Sequence, residues 1–141
     1  MNPPASPLGI IAVNDECDVL EMMRILLCGW LKNADVQSFV NSETAWHELT
    51  RTNPDLLITD DKMGELNGQE ICERLLDKGV TYPIIVSSGW PLTEKWVRQC
   101  ASRGLNIHFL ETPFAPEEFR ALVEVRLKML QSNHLTIAFA A

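Results

Sequence analysis

The sequence predicts an α/β domain built on a doubly wound, five-stranded parallel sheet with helices on both faces. Three observations predict it. Short apolar runs alternate with stretches of helical periodicity along the chain, and such alternation needs crossover connections, which make neighbouring strands parallel. The pattern recurs five times in 141 residues, a length that fits one domain with a core of its own. Carboxylates follow the first and third apolar runs, Asp15 after one, Asp60 and Asp61 after the other. Open α/β sheets bind their ligands at these strand ends.

The elements follow in order. Residues 9–13 are an apolar run and the first strand. Asn14, Asp15 and Glu16 end it and offer caps for a helix over 18–31, where Leu20, Met23, Leu27 and Leu31 recur at helical spacing and Asn33 is the stop. Residues 36–40 form a weaker strand, whose Gln37 and Ser38 suit a sheet edge. Asn41 and Ser42 can cap a short helix through Thr50, with Trp46 and Leu49 inward, and Pro54 breaks the chain before the third strand at 56–59. Asn67 and Glu70 have capping-box spacing for a helix to Lys78, and Gly79 stops it. Residues 84–87 are the fourth strand, Ser88 to Pro91 a loop, and Thr93 the cap of a helix ending before Gly104. Residues 107–110 are the fifth strand, interrupted by Thr112-Pro113. Pro116 opens the last helix, with Glu117 and Glu118 in its first turn, and the helix runs to about Asn133. With a proline-rich leader at 1–7 and a short apolar tail at 134–141, the domain is expected over 8–133.

Composition narrows the function. Lys plus Arg number 12 and Asp plus Glu 19, so the net charge of −7 disfavours nonspecific binding to nucleic acid or anionic membranes. No apolar run approaches the ~18 residues of a spanning helix, and the leader lacks the basic and apolar regions of a secretory signal. A cytoplasmic protein is expected. The cysteines, Cys17, Cys28, Cys72 and Cys100, show no C-x-x-C spacing; all fall in predicted helices among apolar neighbours and read as buried free thiols. His47, His108 and His134 cluster neither with each other nor with cysteine, which argues against zinc.

For five strands the simplest doubly wound arrangement is the flavodoxin-like order 2-1-3-4-5, a three-layer α/β/α sandwich whose switch point lies between strands 1 and 3. Asp15 and Asp60 then share one crevice. Two such oxygens suit Mg²⁺, which takes one or two carboxylates, keeps several waters and often bridges to phosphate. A carboxylate can also serve as a nucleophile and form an aspartyl phosphate. Ser88, after strand 4, can donate a hydroxyl to a phosphoryl oxygen. The dinucleotide fingerprint, the P-loop and the G-x-S-x-G elbow are all absent.

Four segments in order, Val13-Asn14-Asp15-Glu16, Asp60 to Gly68, Ile85 to Gly89 and Thr112-Pro113-Phe114, carry a resemblance. Over roughly residues 8–131 the chain resembles the receiver domain of bacterial two-component response regulators. The resemblance implies a phosphoacceptor at Asp60, and Mg²⁺ held by Asp15, Asp60 and the backbone carbonyl of Lys62. It implies Ser88 as the hydroxyl that follows the phosphate and Phe109 as the ring that rotates with it. It further implies a histidine kinase or phosphotransfer protein as phosphodonor and a downstream protein partner, and leaves a homodimer open. Three departures stand out. Asn14 occupies the place of the first of two acids, Thr112 that of a lysine, and Gly64 that of a proline after Met63. Losing one acid and one lysine leaves the formal charge of the pocket unchanged, but the cation facing the phosphate is gone. Because the chain ends soon after the fifth helix, the expected protein is a stand-alone, non-enzymatic receiver that accepts phosphate slowly. The alternatives are an unphosphorylated pseudo-receiver that docks constitutively, and a phosphatase-like hydrolase, which the Asp60-Asp61-Lys62 pattern fits poorly.

Overall fold

The structure, a computed structural model, describes residues 7–131, with side chains through residue 128. The expected tail, the end of the last helix near Asn133 and all of the leader but Pro7 lie outside the described residues. Ten elements alternate: β1 (Leu8–Val13), α1 (Cys17–Trp30), β2 (Ala34–Phe39), α2 (Ser42–Arg51), β3 (Leu56–Asp60), α3 (Gly68–Lys78), β4 (Ile84–Ser88), α4 (Pro91–Ser102), β5 (Ile107–Glu111) and α5 (Pro116–Gln131). The strands form one sheet in the order β2-β1-β3-β4-β5, every pair parallel, as predicted.

The period-two geometry of a strand explains why the central runs are apolar throughout. In β3, Leu56 and Ile58 face a core made with Met23 and Leu27 of α1 and Phe119, Val123 and Leu127 of α5. Leu57 faces the other way, into a core shared with Leu49 of α2, Ile71 and Leu75 of α3 and Trp96 and Val97 of α4. In β4, Ile85 belongs to the first core, and Ile84 and Val86 to the second. β2 alternates half-buried and exposed residues, as an edge strand with one solvated face does.

Local signals explain most boundaries. Asn67 and Glu70 form the capping box, and Gly79 closes α3 at φ 69°, the left-handed region that glycine enters at no cost. Asn41 Oδ1 accepts the N–H groups of Glu43 and Thr44 and caps α2 alone; Ser42 is instead inside the helix, and its Oγ accepts the Leu66 N–H at 3.2 Å. Several expectations need correction. Glu16 is the N-cap of α1, without a side-chain bond, and α1 ends at Trp30, one residue before Leu31 turns back as extended chain. β2 starts at Ala34, because pairing with β1 from Leu8 onward recruits residues whose own composition is not strand-like. α4 starts at Pro91 with Trp90 as N-cap, since proline's fixed φ suits the first helical position; Thr93 is not its cap. Cys17 and Cys28 are exposed, on the outer side of α1, and only Cys72 and Cys100 are buried.

Candidate functional site

β1 and β3 pair as far as Val13 and Thr59, and Asp60, the last residue of β3, still pairs with Ser87 of β4 where β1 has already left the sheet. Asn14 and Asp15 therefore meet Asp60 at the switch point. Asp15 is exposed and Asp60 half-buried. The Asp61 N–H donates to Asp60 Oδ1 at 2.8 Å, and no other described residue donates to that carboxylate. Burial pushes Asp60 up to about 6; Asp15, Asp61 and Glu16 add to the rise, and the Asp61 N–H opposes it. The first residue of α3 abuts this loop, with the Gly68 N–H donating to the Asp61 carbonyl at 2.7 Å. A Cβ at Gly68 would overlap the Asp60 carbonyl oxygen, so glycine is required there by close approach.

Asp61, next in the chain, points the other way. It is 1% exposed. Its Oδ2 accepts the Thr93 hydroxyl at 2.6 Å and the Trp96 indole N–H at 3.1 Å. Thr93 Oγ lies 2.9 Å from Ser88 Oγ, which accepts the Trp90 N–H at 3.0 Å. Ser88 is thus the last residue of β4 and buried, not an open loop serine.

The other expected positions fall around the same end of the sheet. Asn14 is buried, and its Oδ1 accepts the Glu16 N–H at 2.9 Å, so it shapes the turn after β1. Thr112 donates its N–H to the Ser88 carbonyl at 3.0 Å, and its side chain lies over Gly89. Phe109 pairs across from Val86 and, with Trp90, Pro91 and Glu111, lines a cavity of about 230 Å³. The Lys62 ammonium sits 3.6 Å from the centroid of the Trp90 ring, a contact of about 0.5–1 kcal/mol at an exposed site. Asp61 and Glu16 add negative field at Asp60, and Asp15 with Glu43 and Glu65 borders an acidic recess of about 300 Å³.

This field makes a prediction. The folded value of Asp60 is raised, so the stability held by its protonated form is complete below the unfolded value near ~4 and lost as pH rises through about 6. Asp60→Asn, neutral throughout, should therefore stabilise the fold at neutral pH. The gain is about 1 kcal/mol once screening at a half-exposed group is allowed for, or about 3–5 °C in Tm. Thermal melts from pH 4 to 8 check it: a gain that fails to vanish toward the acid end would refute the assignment.

Among the described residues no group of three or more His, Cys, Asp or Glu side chains is arranged to hold a metal ion. The expected donor set is different: two carboxylates and the Lys62 backbone carbonyl. Those residues fit a hard dication. Burial first, and then three neighbouring acids, push Asp60 toward protonation, and one of its oxygens has no donor among the described residues.

Sequence reasoning gave no role to Asp61, Trp96 or Trp90, and gave Thr93 only that of a helix cap. One signal was available. Adjacent strand residues face opposite ways, so of Asp60 and Asp61 one had to enter the helical layer and meet donors there. Thr93 and Trp96, three apart, lie on one helix face.

Comparison with known proteins bears on this geometry. The sequence profile described as the response regulator receiver domain matches residues 10–124. An uncharacterized 14.6 kDa protein of Leptolyngbya boryana is 32% identical over 119 residues, 83% of this chain and 88% of that protein. The regulatory protein VanR of Enterococcus faecium is 29% identical over 122 residues, 84% of this chain, which spans 49% of VanR's length. A CheY-like response regulator receiver domain protein of Methanospirillum hungatei superposes with a TM-score of 0.78 at 16% identity, over 91% of this chain and 99% of that one.

Proposed function

The chain belongs to the response regulator receiver-domain family, and on that premise we propose that it is a two-component signalling module that accepts a phosphoryl group on Asp60. One observation carries the reading. The acid at the switch point has Oδ1 held by the Asp61 N–H, while no described residue donates to Oδ2. Oδ2 attacks the phosphorus of the donor, an acyl phosphate bond forms, and the bond from phosphorus to the donor's imidazole nitrogen or acyl oxygen breaks, its electron pair leaving with that donor. The donor in a two-component system is a histidine kinase or phosphotransfer protein. Mg²⁺, held by Asp15, Asp60 and the Lys62 carbonyl, would supply the positive charge that the crowded acids lack. Asp15 orients that site, and the Asp61 N–H aligns the nucleophile. The module hands its state to a protein partner and turns over no separate substrate. Exposed Trp90 and Leu92, beside Ser88, offer the apolar contact.

Thr112 and Asn14 favour a second reading, a pseudo-receiver that docks without phosphate. Incubation with acetyl phosphate and Mg²⁺ followed by intact mass separates the two. We expect slow gain of one phosphoryl group, lost in Asp60→Asn and strongly reduced in Asp15→Asn. No gain at any time would establish the second reading, and steady hydrolysis of a simple phosphoester would revive the hydrolase. No described helix is long and apolar enough to cross a membrane.

A further inference from the structure

The hydroxyls of Ser88 and Thr93 each carry one proton. The Asp61 carboxylate already accepts the Trp96 N–H on Oδ2, and it lies 2.6 Å from Thr93 Oγ. The Thr93 proton therefore goes to Asp61, which leaves Thr93 Oγ to accept from Ser88, 2.9 Å away. Ser88 Oγ in turn accepts the Trp90 N–H. The four groups form a directed chain: Trp90 N–H to Ser88, Ser88 O–H to Thr93, Thr93 O–H to Asp61. Its interior is closed to water, with Ser88 5%, Thr93 0% and Asp61 1% exposed. The single proton of Ser88 is thus spent inside the chain and is not available to a group on Asp60.

We propose that Asp61 is a positioning residue that, acting through Thr93, holds the Ser88 hydroxyl in a resting state, so that a phosphoryl group on Asp60 is read out only by breaking this chain. The inference rests on the phosphoacceptor reading above. The phosphoacceptor loop and the start of α4 are tied by the same bonds. When Ser88 turns toward Asp60, Thr93 loses its donor and the Trp90 N–H its acceptor. Trp90 carries the Lys62 ammonium on its ring, so release of Ser88 reaches the exposed surface at the mouth of the site.

Two measurements on the full chain test it. Thr93→Val keeps the shape and removes the acceptor; Ser88→Ala removes the donor. In the absence of any ligand, chemical unfolding of parent, both single variants and the double variant should be non-additive by about fivefold in the unfolding constant, about 1 kcal/mol. Additive effects overturn the chain. The second arm uses beryllofluoride with Mg²⁺, a tetrahedral mimic of a phosphoryl group on a carboxylate. Thr93→Val should bind it about five- to tenfold more tightly, because Ser88 no longer has to be withdrawn from Thr93. In the Ser88→Ala background the same substitution should have no effect, and Thr93→Ser, which restores a hydroxyl, should behave as the parent. Equal or weaker binding by Thr93→Val, or an effect that persists without Ser88, overturns the proposal. If the parent takes no beryllofluoride, the phosphoacceptor reading fails and the gating role with it; a stability coupling that survives then places the fault at Asp60 and not in the chain.

Discussion

Changing Thr112 to lysine together with Asn14 to aspartate should speed the labelling of Asp60 by acetyl phosphate by about 10- to 100-fold, the effect of about 1.5–3 kcal/mol from one charge-assisted hydrogen bond made in the transition state. The geometry allows it. The Thr112 N–H is fixed to the Ser88 carbonyl, and its side chain lies over Gly89, where an ideal Cβ would come within 3.2 Å of Thr112 Oγ1. Because Gly89 has no side chain, a longer stem at 112 can cross that loop at the end of the sheet that holds Asp60. Glu111, preceding it, cannot substitute: it is acidic and faces the other way. Lysine alone would make the mouth more positive and weaken Mg²⁺ binding. Asn14→Asp restores the lost acid, and its carboxylate can still accept the Glu16 N–H that Asn14 Oδ1 now accepts. Intact-mass time courses at saturating Mg²⁺ measure the rate. A double variant labelled no faster than the parent would mean that the slow step lies outside these two positions, in the arrangement of the Met63-Gly64 loop.

The sheet order was legible because each of its determinants is local or topological. The runs in β1, β3 and β4 are apolar at successive positions, as strands covered on both faces must be. Capping box and helix stop are written into Asn67, Glu70 and Gly79. The switch point of that order put Asp15 and Asp60 in one crevice with Ser88 after the next strand, the family resemblance implied a role for each, and the fold brings those strand ends together. What sequence did not disclose depends on where a side chain finds its partner. Thr93 has the residue type of a helix cap, but the cap is occupied by Trp90 once Pro91 sets the first turn, and the threonine turns inward to a carboxylate more than thirty positions away in the chain. Lys62 offers no periodicity to read; its position is set by a ring on another loop. Cys17 and Cys28 have apolar neighbours in sequence, yet helical rotation puts both on the solvent side of α1, while Leu20, Met23 and Leu27 take the inner face.

Asp61→Ala should lower stability by about 3 kcal/mol, about 10 °C in Tm, the largest stability loss expected of a polar substitution at this site. Two opposing effects decide the sign. None of the ion pairs among the described residues includes Asp61, so its removal recovers the cost of burying a carboxylate. Against that, alanine leaves two buried donors without their acceptor. Thr93 can redirect its proton to Ser88 Oγ at 2.9 Å, but among the described residues the Trp96 indole N–H donates to Asp61 alone. The space left by the carboxylate also removes packing between the turn after β3 and Thr93 and Trp96 of α4. The loss therefore outweighs the recovery. Asp61→Asn separates the terms, since its amide oxygen can still accept both donors; its loss should be about 1 kcal/mol or less. The same variant removes one of the acids that hold Asp60 high, so the Asp60 titration should move down from about 6. Adding Trp96→Phe to Asp61→Ala removes the stranded N–H, and the pair should cost less than the sum of its parts. Denaturant titrations of these four variants decide it: a loss below about 1 kcal/mol for Asp61→Ala, or strict additivity with Trp96→Phe, would mean that burial of the charge and not satisfaction of its donors governs this position.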